Sequence, residues 1–365
     1  MKRALIAMSG GVDSSVAVYL MQQQGYDCEG VNLKLYRNTD IGLACHKSCC
    51  TQADADDASD AAFRLGIPFE VLDYQGIFRQ TVMEDFVRGY EAGETPNPCI
   101  ACNRHMKFDF LLRHARQQGF DALASGHYAR VGYDEAAGRY VMKKALDESK
   151  DQSYVLYMLT QEQLQFIRFP LGDYRKAEIR ALAASLDLVT AKKPDSQDIC
   201  FVPDGDYGAF LERYTDKRYP PGDFVDESGA VIGRHRGAVR YTLGQRRGLG
   251  LPMGERVYVC GKDMAKNTVT VGPESSLYTR ELVADAVNWL SISEPAGPIP
   301  VAAKTRYRQK EQPATLYPLP GERVRLVFDA PQRAVTPGQA VVFYDGDTVL
   351  GGGTIRSVGE DIHRE

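Results

Sequence analysis

Over about the first 130 residues, short apolar runs alternate with segments whose apolar positions recur at helical spacing. Residues 3–8 predict a buried strand running into Ser9-Gly10-Gly11, and a helix over about 14–24 follows, ended by Gly25. Val31-Asn32-Leu33-Lys34-Leu35 is the next strand pattern. A helix over about 53–65 puts Ala55, Ala58, Ala62 and Leu65 on one face, stops at Gly66-Ile67-Pro68 and hands over to a strand at Phe69-Glu70-Val71-Leu72. A third unit repeats the form. Phe108, Leu111, Leu112 and Ala115 have helical spacing, Gly119 ends the helix, and 121–126 is a strand with its loop. This alternation predicts α/β architecture with a doubly wound parallel sheet, in which ligands bind beyond the carboxyl ends of the strands.

Further helices are expected at about 161–168, 176–187 and 206–214. Near Tyr219-Pro220-Pro221-Gly222-Asp223 the pattern changes to short β-type runs separated by turns, at 257–259, 268–271, 323–328 and 340–344. The expected organisation is a catalytic α/β domain over 1–215, a small central β-rich domain over 216–277 and a C-terminal β-barrel over 278–365.

Composition adds limits. With 365 residues, 44% hydrophobic and 25% charged, the chain has the make-up of a folded globular protein with several cores. It has no run of about 20 apolar residues, and Met1-Lys2-Arg3 leads through a short apolar stretch into Ser-Gly-Gly, so no membrane association and a cytoplasmic location are expected. A net charge of -4 gives no global attraction to nucleic acid, which leaves local basic surface. Two stretches supply it: Arg234, Arg236, Arg240, Arg246 and Arg247 with no acidic residue between 234 and 254, and Lys304, Arg306, Arg308 and Lys310 at every second position. Either stretch alone is also what a solvated strand looks like.

The loop after the first strand carries the first specific chemistry. A glycine pair between a buried strand and a helix lets backbone N–H groups approach an anion, and the helix N-terminus adds its positive end. The loop lacks the Gly-Lys-Ser/Thr of a Walker loop; Ser9-Gly10-Gly11-Val12-Asp13-Ser14 has instead the PP-loop pattern of enzymes that split ATP into AMP and pyrophosphate. Hydroxyls of Ser9, Ser14 and Ser15 are candidate donors to pyrophosphate, and Asp13 either holds the loop or helps bind Mg2+.

Eight cysteines without an export signal point to redox, metal or cluster chemistry rather than a disulfide framework. Adenylating a carbonyl oxygen makes it a leaving group, and sulfur as the incoming nucleophile needs a thiol carrier. Cys102, in Asn97-Pro98-Cys99-Ile100-Ala101-Cys102-Asn103, and Cys200 are candidates. A persulfide on one can attack the activated carbon, and the second can release the product by forming a disulfide with the first. Cys28 and Cys260 have the setting of apolar fillers.

Taken in order, Ala7-Met8-Ser9-Gly10-Gly11-Val12-Asp13-Ser14, Thr95-Pro96-Asn97-Pro98 with Cys102-Asn103, Ser125-Gly126-His127-Tyr128, Lys150-Asp151-Gln152-Ser153-Tyr154, Asp195-Ser196-Gln197-Asp198-Ile199-Cys200-Phe201, Tyr241-Thr242-Leu243-Gly244-Gln245-Arg246-Arg247-Gly248-Leu249-Gly250, Lys304-Thr305-Arg306-Tyr307-Arg308 and Thr336-Pro337-Gly338-Gln339 make the chain resemble, over nearly its whole length, the tRNA-specific 2-thiouridylase family. The resemblance implies a transferase that adenylates the C2 carbonyl of a tRNA wobble uridine with ATP and Mg2+ and replaces its oxygen with sulfur. It implies Cys102 as nucleophile and Cys200 as persulfide carrier, and ATP held by Ala7, Met8, Ser9, Gly10, Gly11, Val12, Asp13, Ser14, Leu33 and Gly126. Asn97, Pro98 and Cys99 would face a target base taken out of its stack. His127, Lys150, Asp151, Gln152, Arg306, Tyr307 and Gln339 would contact tRNA, and a cysteine desulfurase or sulfur-relay protein would supply the sulfur. The basic stretches would then hold tRNA phosphates.

One position departs from the family pattern. Many members carry aspartate, assigned a proton-transfer role, where this chain has Cys99. Cys99, Cys102 and Cys200 together would alternatively bind a [4Fe-4S] cluster with one open iron for sulfide. Cys45, Cys49 and Cys50 are either zinc ligands or unengaged thiols. Two other readings account for less: a nitrogen-transferring PP-loop ligase leaves Cys102 and Cys200 unused, and a non-catalytic tRNA-binding protein leaves the PP-loop unused.

Overall fold

The structure, a computed structural model, describes residues 1–41, 50–195, 198–252, 254–359 and 362. Its first sheet is wholly parallel. Strands β1 (Lys2–Ala7), β2 (Tyr26–Lys34), β3 (Phe69–Asp73), β4 (Ala122–Ser125) and the short β7 (Ile167–Arg168) stand in the order β3-β2-β1-β4-β7. The order reverses between β1 and β4, so a crevice opens beyond their carboxyl ends. Both the Ser-Gly-Gly loop and Ser125-Gly126 lie there.

Both faces of the sheet are covered because β1 is apolar on both. Ala4 and Ile6 pack against helices α1 (Val12–Gln23) and α2 (Cys50–Arg64) through Val16, Ala17, Ala58 and Ala62, while Leu5 faces Phe108, Leu111 and Ala115 on the other side. Gly25, Gly66 and Gly119 end helices with φ of +82°, +67° and +75°, a left-handed conformation that costs glycine little.

Three elements differ from the expected pattern. The second strand begins at Tyr26 rather than 31, since it pairs with β1 from Lys2↔Tyr26 to Ala7↔Val31. A helical stretch over 75–91, which the sequence pattern did not predict, buries Phe78, Phe86 and Tyr90. The helix expected around 108–115 begins at Pro98 and runs continuously to Gln117.

Beyond residue 221 the chain is β-rich, as expected. Strands β8 (Gly222–Val225), β9 (Val231–His235), β10 (Tyr258–Asp263) and β11 (Thr268–Gly272) form a sheet around Phe224, Tyr241 and Val259. The last six, β12 (Tyr278–Trp289), β13 (Ile299–Lys304), β14 (Gln312–Leu319), β15 (Arg323–Arg333), β16 (Ala340–Asp345) and β17 (Thr348–Val358), close into an antiparallel barrel through β12–β17 pairing. A hairpin of β5 (Arg130–Asp134) and β6 (Arg139–Lys143) leaves the first sheet and joins the barrel's sheet at Thr348↔Lys143.

Candidate active site

The glycine loop is built tightly. Met8 N–H donates to Val31 O at 2.8 Å and Asn32 Nδ2 to Met8 O at 2.7 Å, which fixes the strand end. Gly10 has φ +74°, and a Cβ there would stand 2.1 Å from Asp54 O of α2, so only glycine fits. Gly126 comes as close from the other side: its Cβ would lie 2.6 Å from Ser14 N. The buried hydroxyls of Ser14 and Ser15 donate to Gly11 O at 3.1 and 3.0 Å, so they shape the loop, whereas Ser9 is exposed.

Charge surrounds this loop. Asp13 accepts from Lys176 Nζ on both oxygens, at 2.7 Å each, and from Tyr128 OH at 2.9 Å. One ammonium thus spans both Asp13 oxygens and ties the start of α1 to Lys176. Lys176 also reaches Asp195, at 2.9 Å, which holds Lys150 at 2.8 Å and Arg180 at 2.9 Å as well. Lys193 Nζ bonds Gly10 O at 2.9 Å and both Asp54 and Asp57 at 2.6 Å. Asp195, Lys176 and Lys193 carried no role in the sequence reading, and Lys150 was expected to contact tRNA. A lysine in the first turn of a helix, where the dipole disfavours it, was the available signal for Lys176.

The thiols lie at the start of the 98–117 helix. Asn97 caps it, its Oδ1 accepting from Cys99 N at 3.1 Å, and Pro98 takes the first helical position. Cys99 and Cys102, three apart, fall on one face. Asn103 is turned inward and donates to Val155 O at 3.0 Å. Cys200 is placed from the other side of the cleft: Tyr36 OH donates to its carbonyl at 2.7 Å, and Phe201 is locked among Phe78, Phe86 and Phe210. Cys99 and Cys200 reach solvent and Cys102 is half-buried, yet surrounding protein desolvates all three thiols. Desolvation pushes Cys102 up to about 11 and Cys200 up to about 12, opposed in each case by Lys107, and the charge of Cys99 raises both. The thiols therefore share one electrostatic neighbourhood. Among the described residues no group of three Cys, His, Asp or Glu is placed to hold a single metal ion. Cys45, Cys49 and the side chain of Cys50 lie outside the described residues, as do Ser196 and Gln197.

The residues expected to touch tRNA divide. Tyr307 is 39% exposed and lies close enough to Cys99 for that thiol to raise its pKa after burial has done so. His127 and Asp151 are buried; Asp151 accepts from Ala145 N and Ser153 Oγ, and Gln152 Oε1 from Tyr128 N. Lys150 is on Asp195. Arg306 turns inward, donating to Ala334 O at 2.7 Å, Thr336 Oγ1 at 3.0 Å and Leu243 O at 3.3 Å, and Lys304 is buried, so the second basic stretch is not a uniform surface stripe. Gln339 donates to Thr95 O, and Thr95 N to Pro337 O at 2.9 Å, so the barrel holds the turn that leads into Asn97. Leu33 is half-buried at the end of β2.

The fold and its glycine loop define a PP-loop protein of the ATP-utilising class, and three cysteines share one neighbourhood in its first domain. Comparisons with known proteins agree. Family patterns described as a tRNA methyl transferase HUP domain, a tRNA methyl transferase PRC-barrel domain and an aminomethyltransferase beta-barrel domain match residues 2–204, 208–273 and 279–355. The tRNA-specific 2-thiouridylase MnmA of Acetivibrio thermocellus is 49% identical over 97% of this chain and 99% of its own length. That of Clostridioides difficile is 46% identical over 97% and 98%. The chain belongs to the tRNA-specific 2-thiouridylase family. A solved NMN synthetase from Francisella tularensis overlays with a TM-score of 0.34 at 17% identity, covering 59% of this chain and 78% of that one, a match too loose to bear on function.

Proposed function

We propose that this protein is a tRNA sulfurtransferase that converts the wobble uridine to 2-thiouridine through a persulfide on Cys200. ATP sits with its phosphates at the N-terminus of α1, where the Ser9-Gly10-Gly11 amides and the helix dipole favour negative charge. The uridine C2 oxygen attacks the α-phosphorus, pyrophosphate leaves, and C2 becomes electrophilic. The terminal sulfur of the Cys200 persulfide adds to C2 and AMP departs. Cys102, as thiolate, then attacks Cys200 Sγ; the bond from Cys200 to the transferred sulfur breaks, its electron pair stays on that sulfur as 2-thiouridine, and a Cys102–Cys200 disulfide remains. An external dithiol resets it, and a cysteine desulfurase or sulfur-relay protein reloads Cys200. Such a cycle suits the reducing cytoplasm; no helix among the described residues is long and apolar enough to cross a membrane.

The observation that carries this reading is the shared neighbourhood of Cys200 with Cys99 and Cys102, the latter two at the capped start of one helix. A nitrogen-transferring ligase has no use for it. The test is nucleoside mass spectrometry of tRNA incubated with the protein, ATP, Mg2+ and a sulfur source, beside tRNA-dependent ATP–pyrophosphate exchange. Cys102→Ser and Cys200→Ser should each abolish 2-thiouridine and keep exchange. Undiminished 2-thiouridine in either variant would sink the mechanism.

A further inference from the structure

Lys107 follows Cys102 by five residues. From Asn103 to Leu111 the helix is π-helical, with backbone bonds running i→i+5, so residues five apart stand over one another and Lys107 is brought back to the face of Cys102. Regular α-geometry would turn it away. Such local widening is frequent at functional sites, and here it falls directly after the thiol.

The ammonium is oriented without being neutralised. Lys107 Nζ lies 3.5 Å from His127 Nε2, and it makes no ion pair among the described residues. His127 is buried between Phe108 and Phe169, with Nδ1 at 2.8 Å from Ser125 Oγ. Burial first, and then the charge of Lys107, keep this imidazole well below its usual pKa, so it is neutral. With an ammonium at Nε2, its proton belongs on Nδ1 toward Ser125. The charge of Lys107 remains available to the thiols, and it favours the anionic form of Cys99, Cys102 and Cys200 alike. The other groups facing them are Asp198, which acts against the Cys99 anion, the hydroxyl of Tyr36, which bonds on the Cys200 side, and Tyr207 and Tyr307 beside Cys99.

We propose that Lys107 is the thiolate-stabilising residue of the sulfur-transfer step, and His127 its positioning residue: the ammonium holds the negative charge on Cys102 while that sulfur attacks Cys200. This rests on the cysteine cycle proposed above. The Cys102 thiol proton leaves to water beforehand, Lys107 keeps its own protons, and the charge passes with the electron pair to the sulfur on C2. His127 thus acts from inside the protein, through Lys107.

The test is the pH dependence of iodoacetamide alkylation of Cys102 in the full chain without tRNA, resolved by peptide mass spectrometry, for wild type, Lys107→Met and Lys107→Arg. Removing one nearby cation should slow alkylation at pH 7.5 about tenfold and move the rising limb to higher pH, with Lys107→Arg restoring most of the rate. In the same variants, 2-thiouridine formation should fall in kcat with KM for tRNA little changed and ATP–pyrophosphate exchange intact. An unchanged alkylation profile in a Lys107→Met protein with native circular dichroism would overturn the proposal. So would equal losses of exchange and thiolation, which would make Lys107 a tRNA or nucleotide contact. His127→Gln should give a smaller shift in the same direction, and full wild-type alkylation there removes the positioning role. Failure of the underlying cycle would show separately, as absence of 2-thiouridine with the wild-type protein.

Discussion

Lys176 and Asp13 are joined by two bonds of 2.7 Å, one to each carboxylate oxygen, across the entrance of the nucleotide loop. Lys176 is buried and Asp13 about one-third exposed. Removing the cation leaves a sheltered carboxylate beside Tyr128, and part of that charge is screened by solvent. Lys176→Met should therefore cost about 2 kcal/mol of stability, below the 3–5 kcal/mol of a fully buried pair. Because Asp13 sits in the first turn of α1, tRNA-dependent ATP–pyrophosphate exchange should fall by about tenfold or more. Thermal melting and exchange kinetics check both; exchange at the wild-type rate would mean that the loop keeps its shape without this anchor.

Gly126 tests the opposite wall. A methyl group there meets Ser14 N at 2.6 Å and the Asp13 carbonyl carbon at 2.7 Å, both backbone atoms that cannot swing aside. Gly126→Ala should push the PP-loop out of register, raising KM for ATP several-fold with a loss of about 1–3 kcal/mol in stability. Isothermal titration with ATP and urea unfolding measure the two effects, and unaltered affinity would show that the crevice tolerates widening.

These close approaches explain what could be read from the chain. Gly10 was legible because a left-handed turn at a fixed offset from a strand demands glycine, a constraint that is local in sequence; the 2.1 Å approach to Asp54 O adds a long-range one. Cys99 and Cys102 stood out as a Cys-x-x-Cys, but the helix that carries them, from Pro98, did not. The β5–β6 hairpin was not, since its partner Thr348 lies about two hundred residues away and nothing near Lys143 marks the pairing. Lys176, Lys193 and Lys107 escaped likewise, because their partners are set by the fold. Arg306 was named as a tRNA contact on its resemblance, but cationic alternation from 304 to 310 does not tell which cations turn inward to carbonyls at Ala334 and Leu243.

Asp195 predicts an acid-dependent stability. Burial works against its charge, but hydrogen bonds from Lys150 and Lys176 and their charges outweigh that and bring the carboxyl down to about 2. The folded state thus favours the carboxylate, and the contribution is fully present above the unfolded value of about 4 and lost as pH falls from there toward 2. Its size is about 2 kcal/mol. Asp195→Asn should be less stable than wild type by roughly that amount at pH 7, with the difference narrowing below pH 4. Urea midpoints measured at pH 7, 5, 4 and 3 decide it, and a constant gap would place the effect elsewhere than in this carboxylate.

Lys262 is the converse case at the alkaline end, a charge that the folded state disfavours. Its ammonium is buried on β10 with no hydrogen-bond partner among the described residues, and burial, offset only in part by Glu94, brings its pKa down to about 8 from 10.5. The unfolded chain binds this proton more tightly, so at pH 7 the folded protein carries a charge it disfavours by about 2–3 kcal/mol. Stability from this residue rises as pH passes from 8 toward 10.5, where the folded form has shed its proton and the unfolded form is still shedding it. Lys262→Met keeps the apolar stem and removes the charge, and at pH 7 it should be more stable than wild type by about 2 kcal/mol. The advantage should shrink steadily above pH 8. Chemical denaturation at pH 7, 8.5 and 10 measures this, and a variant less stable than wild type at pH 7 would mean that the ammonium has a favourable partner in solution.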